Sequence, residues 1–160
     1  MEPKRILLVY YSRSGTTRKF AEALAARLKC DTEEIQDVRS RKGLFGWLRS
    51  GREAMRKVLP PIHPTTRDPA AYDLVIIGSP VWASTMASPV RTWLDRHKGE
   101  LINTVALFCT SGGADGGHAL PDMGIYCPCD SLANLAVRQQ DITSGRFDDK
   151  VASFVAALNR

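Results

Sequence analysis

Three runs of consecutive apolar residues punctuate the chain: Ile6-Leu7-Leu8-Val9-Tyr10, Leu74-Val75-Ile76-Ile77 and Val105-Ala106-Leu107-Phe108-Cys109. None alternates with polar residues, as a strand with one wet face would. Strands covered on both faces are therefore expected over 4–10, 74–78 and 104–109, with Ser79-Pro80 ending the second. A weaker strand is expected over 32–38, where Ile35 and Val38 are the only large aliphatics, and another over 134–142. Between them the period changes. Phe20, Leu24 and Leu28 recur every fourth residue over 16–29 while Arg18, Lys19, Glu22 and Arg27 stay polar, which is a helix pattern. Leu44, Trp47, Leu48, Met55, Val58 and Leu59 give a second amphipathic helix over 44–59. Ser88-Pro89 reads as a helix start with Ser as cap. A last helix over 147–158 carries Phe147, Val151, Phe154, Val155 and Leu158 on one face.

Strand and helix thus alternate along the chain. That order predicts an α/β fold: a doubly wound, five-stranded parallel sheet covered by helices on both sides. Pro60, Pro61, Pro64 and Pro69 mark a connecting loop rather than a domain boundary, and one domain over 1–160 is expected. In open parallel sheets, ligands bind beyond the carboxyl ends of the strands. Three segments there are unusual: 12–17, 79–86 and 110–117.

The first, Ser12-Arg13-Ser14-Gly15-Thr16-Thr17, sets hydroxyls around one glycine between a strand and a helix. Small hydroxyl side chains let both O–H and backbone N–H groups reach a phosphate, and the helix points its positive end at the anion. The segment is not a Walker loop, since no Gly-Lys-Ser/Thr follows, nor the three-glycine dinucleotide fingerprint. In the second, Pro80-Val81-Trp82-Ala83-Ser84-Thr85, one indole stands among small residues, offering a wall for a flat ring or packing back on the core. The third, Thr110-Ser111-Gly112-Gly113-Ala114-Asp115-Gly116-Gly117, has little bulk, so its backbone can approach a ligand edge closely.

In this order the three segments resemble the flavodoxin-like FMN-binding family over nearly the whole chain. The most specific parts are Ser12–Thr17, Gly78-Ser79-Pro80-Val81-Trp82 and Pro89-Val90-Arg91-Thr92-Trp93-Leu94. The resemblance implies a three-layer sandwich of strand order 2-1-3-4-5 with non-covalent FMN at its switch point. Ser12, Arg13, Ser14, Gly15, Thr16 and Thr17 would hold its phosphate. Pro80, Val81, Trp82, Ala83, Ser84 and Thr85 would border the ring, and Thr110, Ser111, Gly112 and Gly113 its far edge and ribityl chain.

Charge then separates the branches of that family. The chain carries a net charge of +5, and the electron-carrying flavodoxins are strongly acidic. Those carriers also commonly lay an aromatic ring from the third loop against the flavin, and here the nearest is Tyr126. Both departures lean toward an FMN-dependent NAD(P)H oxidoreductase passing electrons to a quinone-like acceptor. The alternative is a flavodoxin-type electron carrier docking to redox partner proteins. Most of the excess charge lies in 39–57, where Arg39, Arg41, Lys42, Arg49, Arg52, Arg56 and Lys57 face only Glu53. Such a patch is either a solvated helix face or an attractor of anions, such as the phosphates of a nicotinamide cofactor.

The remaining features constrain less. No nucleic acid is expected as a partner, and an oligomer is compatible with everything above. No apolar run nears the ~18 residues of a membrane span, and Met1-Glu2-Pro3-Lys4-Arg5 precedes a run too short for a signal peptide, so a cytoplasmic protein is expected. The four cysteines then read as reduced thiols. Cys127-Pro128-Cys129 is neither the C-x-x-C of thioredoxin-like motifs nor, without two more ligands, a zinc site; no metal is expected.

Overall fold

A computed structural model describes residues 2–113 and 115–160; Met1 and Ala114, which belong to the leader and third-loop readings above, lie outside them. The strands are β1 (Ile6–Tyr10), β2 (Asp31–Glu34), β3 (Leu74–Trp82), β4 (Thr85–Met86), β5 (Thr104–Ser111) and β6 (Asn134–Arg138). The helices are α1 (Thr16–Leu28), α2 (Gly43–Met55), α3 (Ser88–His97), α4 (Ala119–Gly124), α5 (Gln139–Thr143) and α6 (Asp148–Leu158). Five strands pair in parallel in the order β2-β1-β3-β5-β6, the expected 2-1-3-4-5 when parallel strands alone are counted. The sixth, β4, folds back antiparallel on the end of β3.

The continuous apolar runs are explained by two cores. Leu7, Val9, Val75, Ile77, Val105 and Leu107 face one side, where Val90, Trp93 and Leu94 of α3 cover them. Leu8, Tyr10, Leu74, Ile76, Ala106 and Phe108 face the other, against Phe20 and Leu24 of α1 and Val151, Phe154 and Leu158 of α6. Successive side chains of a strand point to opposite faces, so only an unbroken apolar run can serve both.

Several expected boundaries move, each for a structural reason. β2 stops at Glu34, opposite the last residue of β1, rather than continuing to Val38. β3 does not end at Ser79-Pro80; it runs on to Trp82, with Pro80 in register with Thr110. The ring leaves no N–H to pair, but the Pro80 carbonyl accepts from Ala87 and so anchors the β3–β4 hairpin. β6 ends at Arg138, opposite the last residue of β5, so residues 139–143 have no partner strand and coil into α5 around the buried Ile142. Ser88 is not a cap: Ala87 holds that position, and the Ser88 hydroxyl has no hydrogen-bond partner.

Among the described residues no helix is long and apolar enough to cross a membrane. All four cysteines are free thiols.

Burial sets a pH limit on this fold. It pushes Cys30, Cys109 and Cys127 up from about 9 to about 11 and Tyr10 from about 10 to about 12. Each group holds its proton more tightly folded than unfolded. The stability this contributes is complete below the unfolded values and is lost as pH rises through the folded ones. The contribution of these groups to unfolding free energy should therefore be constant from neutral pH to about pH 9 and fall between about 9 and 12. Urea titrations across that range check it; a stability that is flat to pH 11 would contradict it.

Candidate functional site

The carboxyl ends of β1, β3 and β5 open into a cavity of about 700 Å³, a usual size for a ligand pocket. Arg13, Ser14, Thr16 and Thr17 line it from the first loop, Pro80 to Ala83 from the β3–β4 hairpin, and Thr110 and Gly112 from the end of β5. The three segments singled out in the sequence thus converge on one hollow.

The first loop is shaped by Gly15, whose φ of +98° is open to glycine and strained for other residues. The turn brings the Ser12 hydroxyl under the helix, where it accepts from the amides of Gly15 and Arg18 at 3.0 and 3.2 Å. Ser12 is therefore a scaffold residue and does not line the cavity; the same holds for Gly15. Ser14 and Thr16 behave differently. Their hydroxyls lie 3.4 Å apart at the mouth of the loop. No acidic side chain occupies the first turn of α1, so its positive end is free to meet an anion. Thr17 is buried and shares a 2.8 Å hydrogen bond with Thr110, which locks the first loop to the third.

On the second segment, Trp82 is half-buried and packs on the core as well as lining the cavity. Tyr11 meets its ring edge-on at 5.4 Å, and the Arg41 guanidinium lies 5.1 Å from the ring centroid. The two alternatives drawn from the sequence hold together: the indole is held by the core and presented to the cavity. Ser84 and Thr85 do not line it. The Ser84 carbonyl accepts from His118 at 2.7 Å, and the Thr85 hydroxyl donates to Asp122 while accepting from Arg91. On the third segment, the Ser111 hydroxyl accepts from Gly113 at 3.1 Å, and neither lines the cavity. Ala114 lies outside the described residues. Tyr126 packs against the core and, like His118, is absent from the cavity wall.

The fourth wall is α2; the sequence suggested its basic residues as an attractor of anions, but not that its apolar residues would face the site. Trp47, Leu48, Arg52, Met55 and Arg56 face the cavity. The large apolar residues of this helix do not enter the core. Its buried stripe is Gly46, Ser50 and Ala54, spaced every four residues. A Cβ at Gly46 would stand 2.1 Å from the Arg41 carbonyl oxygen, so only glycine lets the helix lie this close. The helix is also tied down by charge. Arg41 is buried and donates to Asp37 at 2.9 Å, to Glu53 at 2.6 Å and to Ser50 at 3.2 Å. Tyr11 donates to the same Asp37 at 2.6 Å, and burial with that bond pushes its phenol well above its ordinary value. Arg13 completes the attachment by donating to the Arg41 and Gly43 carbonyls at 3.1 and 3.2 Å. Arg41, counted with the basic patch in the sequence, is thus a structural ion rather than a free cation.

Gln139, just past β6, also lines the cavity and carried no sequence signal. Cys127-Pro128-Cys129 lies away from it. Among the described residues no group of three His, Cys, Asp or Glu side chains is placed to hold a metal ion.

Known proteins share this fold. A flavoprotein from Lactobacillus acidophilus, solved in complex with FMN, is 26% identical, with a TM-score of 0.69 over 89% of this chain and 97% of that one. A protein of Bacteroides eggerthii assigned as a flavoprotein is 27% identical, with a TM-score of 0.68 over 93% and 98%. One of Bacteroides uniformis, assigned in the same way, shares the fold at 22% identity and a TM-score of 0.73 over 90% and 98%. The family model described as flavodoxin matches residues 5–153, and on that match the chain belongs to the flavodoxin family.

Proposed function

We propose that the protein binds FMN non-covalently and acts as an NAD(P)H oxidoreductase that passes electrons to a quinone-like acceptor. FMN fits the residues present. The hydroxyls of Ser14 and Thr16 and the first-turn amides of α1 form a cradle suited to a phosphate dianion. Pro80 to Trp82 and the backbone of Thr110 and Gly112 offer a flat wall and hydrogen-bonding edges for a heterocycle. Bound there, the flavin supplies the electron-transfer chemistry. The protein positions it, excludes water along Trp82 and sets the local charge.

One observation carries the enzyme reading over the carrier reading. The cavity does not stop at the cradle but extends to a wall on α2 that is both apolar and cationic, with Trp47, Leu48 and Met55 beside Arg52 and Arg56. No aromatic ring of the third loop lines that space. A quinone needs an apolar surface, and the phosphates of a nicotinamide dinucleotide need arginine. A carrier that meets only protein surfaces needs neither.

The test is steady-state oxidation of NADH and NADPH by the FMN-loaded protein with a soluble benzoquinone. Sustained turnover with one nicotinamide, falling at least tenfold in an Arg52→Ala/Arg56→Ala variant through KM, is the expected result. Protein that takes up FMN but is reduced only when a separate reductase is supplied would establish the carrier instead. Protein that takes up no FMN would remove both.

A further inference from the structure

The outward face of α2 is the least protein-like surface of the molecule. Seven of the eleven large apolar residues exposed among the described residues fall in 44–59, with Phe45 86% exposed, Met55 74% and Trp47 60%. Scattered exposed side chains are ordinary, but a contiguous cluster marks an interaction site. At 100° per residue, Leu44, Trp47, Leu48, Gly51 and Met55 form one stripe, and Phe45, Arg49, Arg52 and Arg56 lie along its flank. Exposed Arg39, Lys42 and Lys57 extend the positive border. The only carboxylate between 38 and 57, Glu53, is taken up by Arg41 and Arg49. The helix is therefore apolar and cationic on its free side, with small residues on its buried side.

We infer that α2 seats the protein on an anionic lipid surface, with its apolar stripe in the acyl–headgroup boundary and its basic flank among the headgroups. Apolar residues that include Trp and Phe, bordered by Arg and Lys and free of acidic residues, have the chemistry of an interfacial helix. A helix lying in the interface needs no membrane-spanning length. Charge decides against a second copy of the chain as the occupant. A two-fold contact sets a patch against itself, so Arg52, Arg56 and Lys57 would face the same cations of the partner. An anionic bilayer instead meets both parts of the face at once. Because Trp47, Leu48 and Met55 also form the rim of the cavity, the seated helix would open that cavity toward the lipid, where a lipophilic acceptor dissolves.

The inference concerns binding alone and is tested without turnover, so it stands or falls separately from the oxidoreductase reading. The FMN-loaded protein is sedimented with vesicles of phosphatidylglycerol and phosphatidylcholine, and with phosphatidylcholine alone. Binding to the anionic vesicles should be at least about tenfold tighter than to the neutral ones and should be largely released by about 0.5 M salt. Leu44→Asp/Phe45→Asp should weaken it by about tenfold or more. Both side chains are exposed and neither lines the cavity, so folding and FMN uptake should be unchanged. Lys42→Glu/Lys57→Glu should weaken it as well. Three results would each overturn the inference: no binding to anionic vesicles at low salt; binding that the Leu44/Phe45 variant leaves intact, as for a simple polycation; or a stable dimer that this variant splits into monomers.

Discussion

Arg41→Met should lower the melting temperature by roughly 6–20 °C. Removing one member of a buried ion cluster costs about 3–5 kcal/mol, and each kcal/mol is worth about 2–4 °C in a chain of this size. The cost is high because the guanidinium serves four neighbours. It neutralises Asp37 and Glu53, bonds Ser50 on the buried stripe of α2, and lies over the ring of Trp82. Methionine fills much of the volume but leaves Asp37 without a cation and Glu53 with only its longer pair to Arg49 at 3.6 Å. The loss should therefore be electrostatic, and it should be partly reversed by neutralising those carboxylates. Arg41→Met/Asp37→Asn/Glu53→Gln should recover about half or more of the lost stability. Thermal unfolding of the single and triple variants measures both. A single variant within about 1 kcal/mol of the parent, or a triple variant less stable than the single, would show that Arg41 is an ordinary surface arginine folded under by chance.

The same residue shows where the sequence was legible and where it was not. β1, β3 and β5 could be placed because a strand buried on both faces needs an unbroken apolar run, and few other elements do. The first loop could be placed at the carboxyl end of β1 because a buried apolar strand runs straight into it and a helix pattern follows. The orientation of α2 could not. Pattern reading assigns the large apolar face of a helix to the core, and here the packed face is Gly46, Ser50 and Ala54. Both stripes share the helical period, so periodicity alone cannot choose between them. The choice was made by the seating of Gly46 on the Arg41 backbone, together with an ion cluster that draws on the residue after β1, the segment after β2, and α2. Gln139 was invisible for a similar reason. It reaches the cavity because β6 stops where β5 does, and strand ends are set by the neighbour rather than by the residue itself.

Within the first loop the structure also divides labour among hydroxyls that look equivalent in sequence, and that division yields the sharpest test of the cradle. Replacing Ser14 and Thr16 with Ala together should weaken FMN binding by about 10²–10⁴-fold. Each hydrogen bond to a charged phosphate is worth about 1.5–3 kcal/mol, and about 1.4 kcal/mol is tenfold in affinity. The fold should not notice the change. The two hydroxyls bond only each other, and Ala at the first position of α1 is at least as good a helix former as Thr. Thr17→Val is the instructive contrast. Its hydroxyl is buried against Thr110, so that variant leaves a polar atom unpaired and should lower stability and affinity together. Titration of flavin fluorescence beside thermal unfolding separates the two cases. Affinity falling at constant melting temperature in the Ser14/Thr16 variant is the signature of a ligand contact. Unchanged affinity would mean that the anion sits elsewhere. A matching fall in melting temperature would mean that the hydroxyls hold the loop rather than the phosphate.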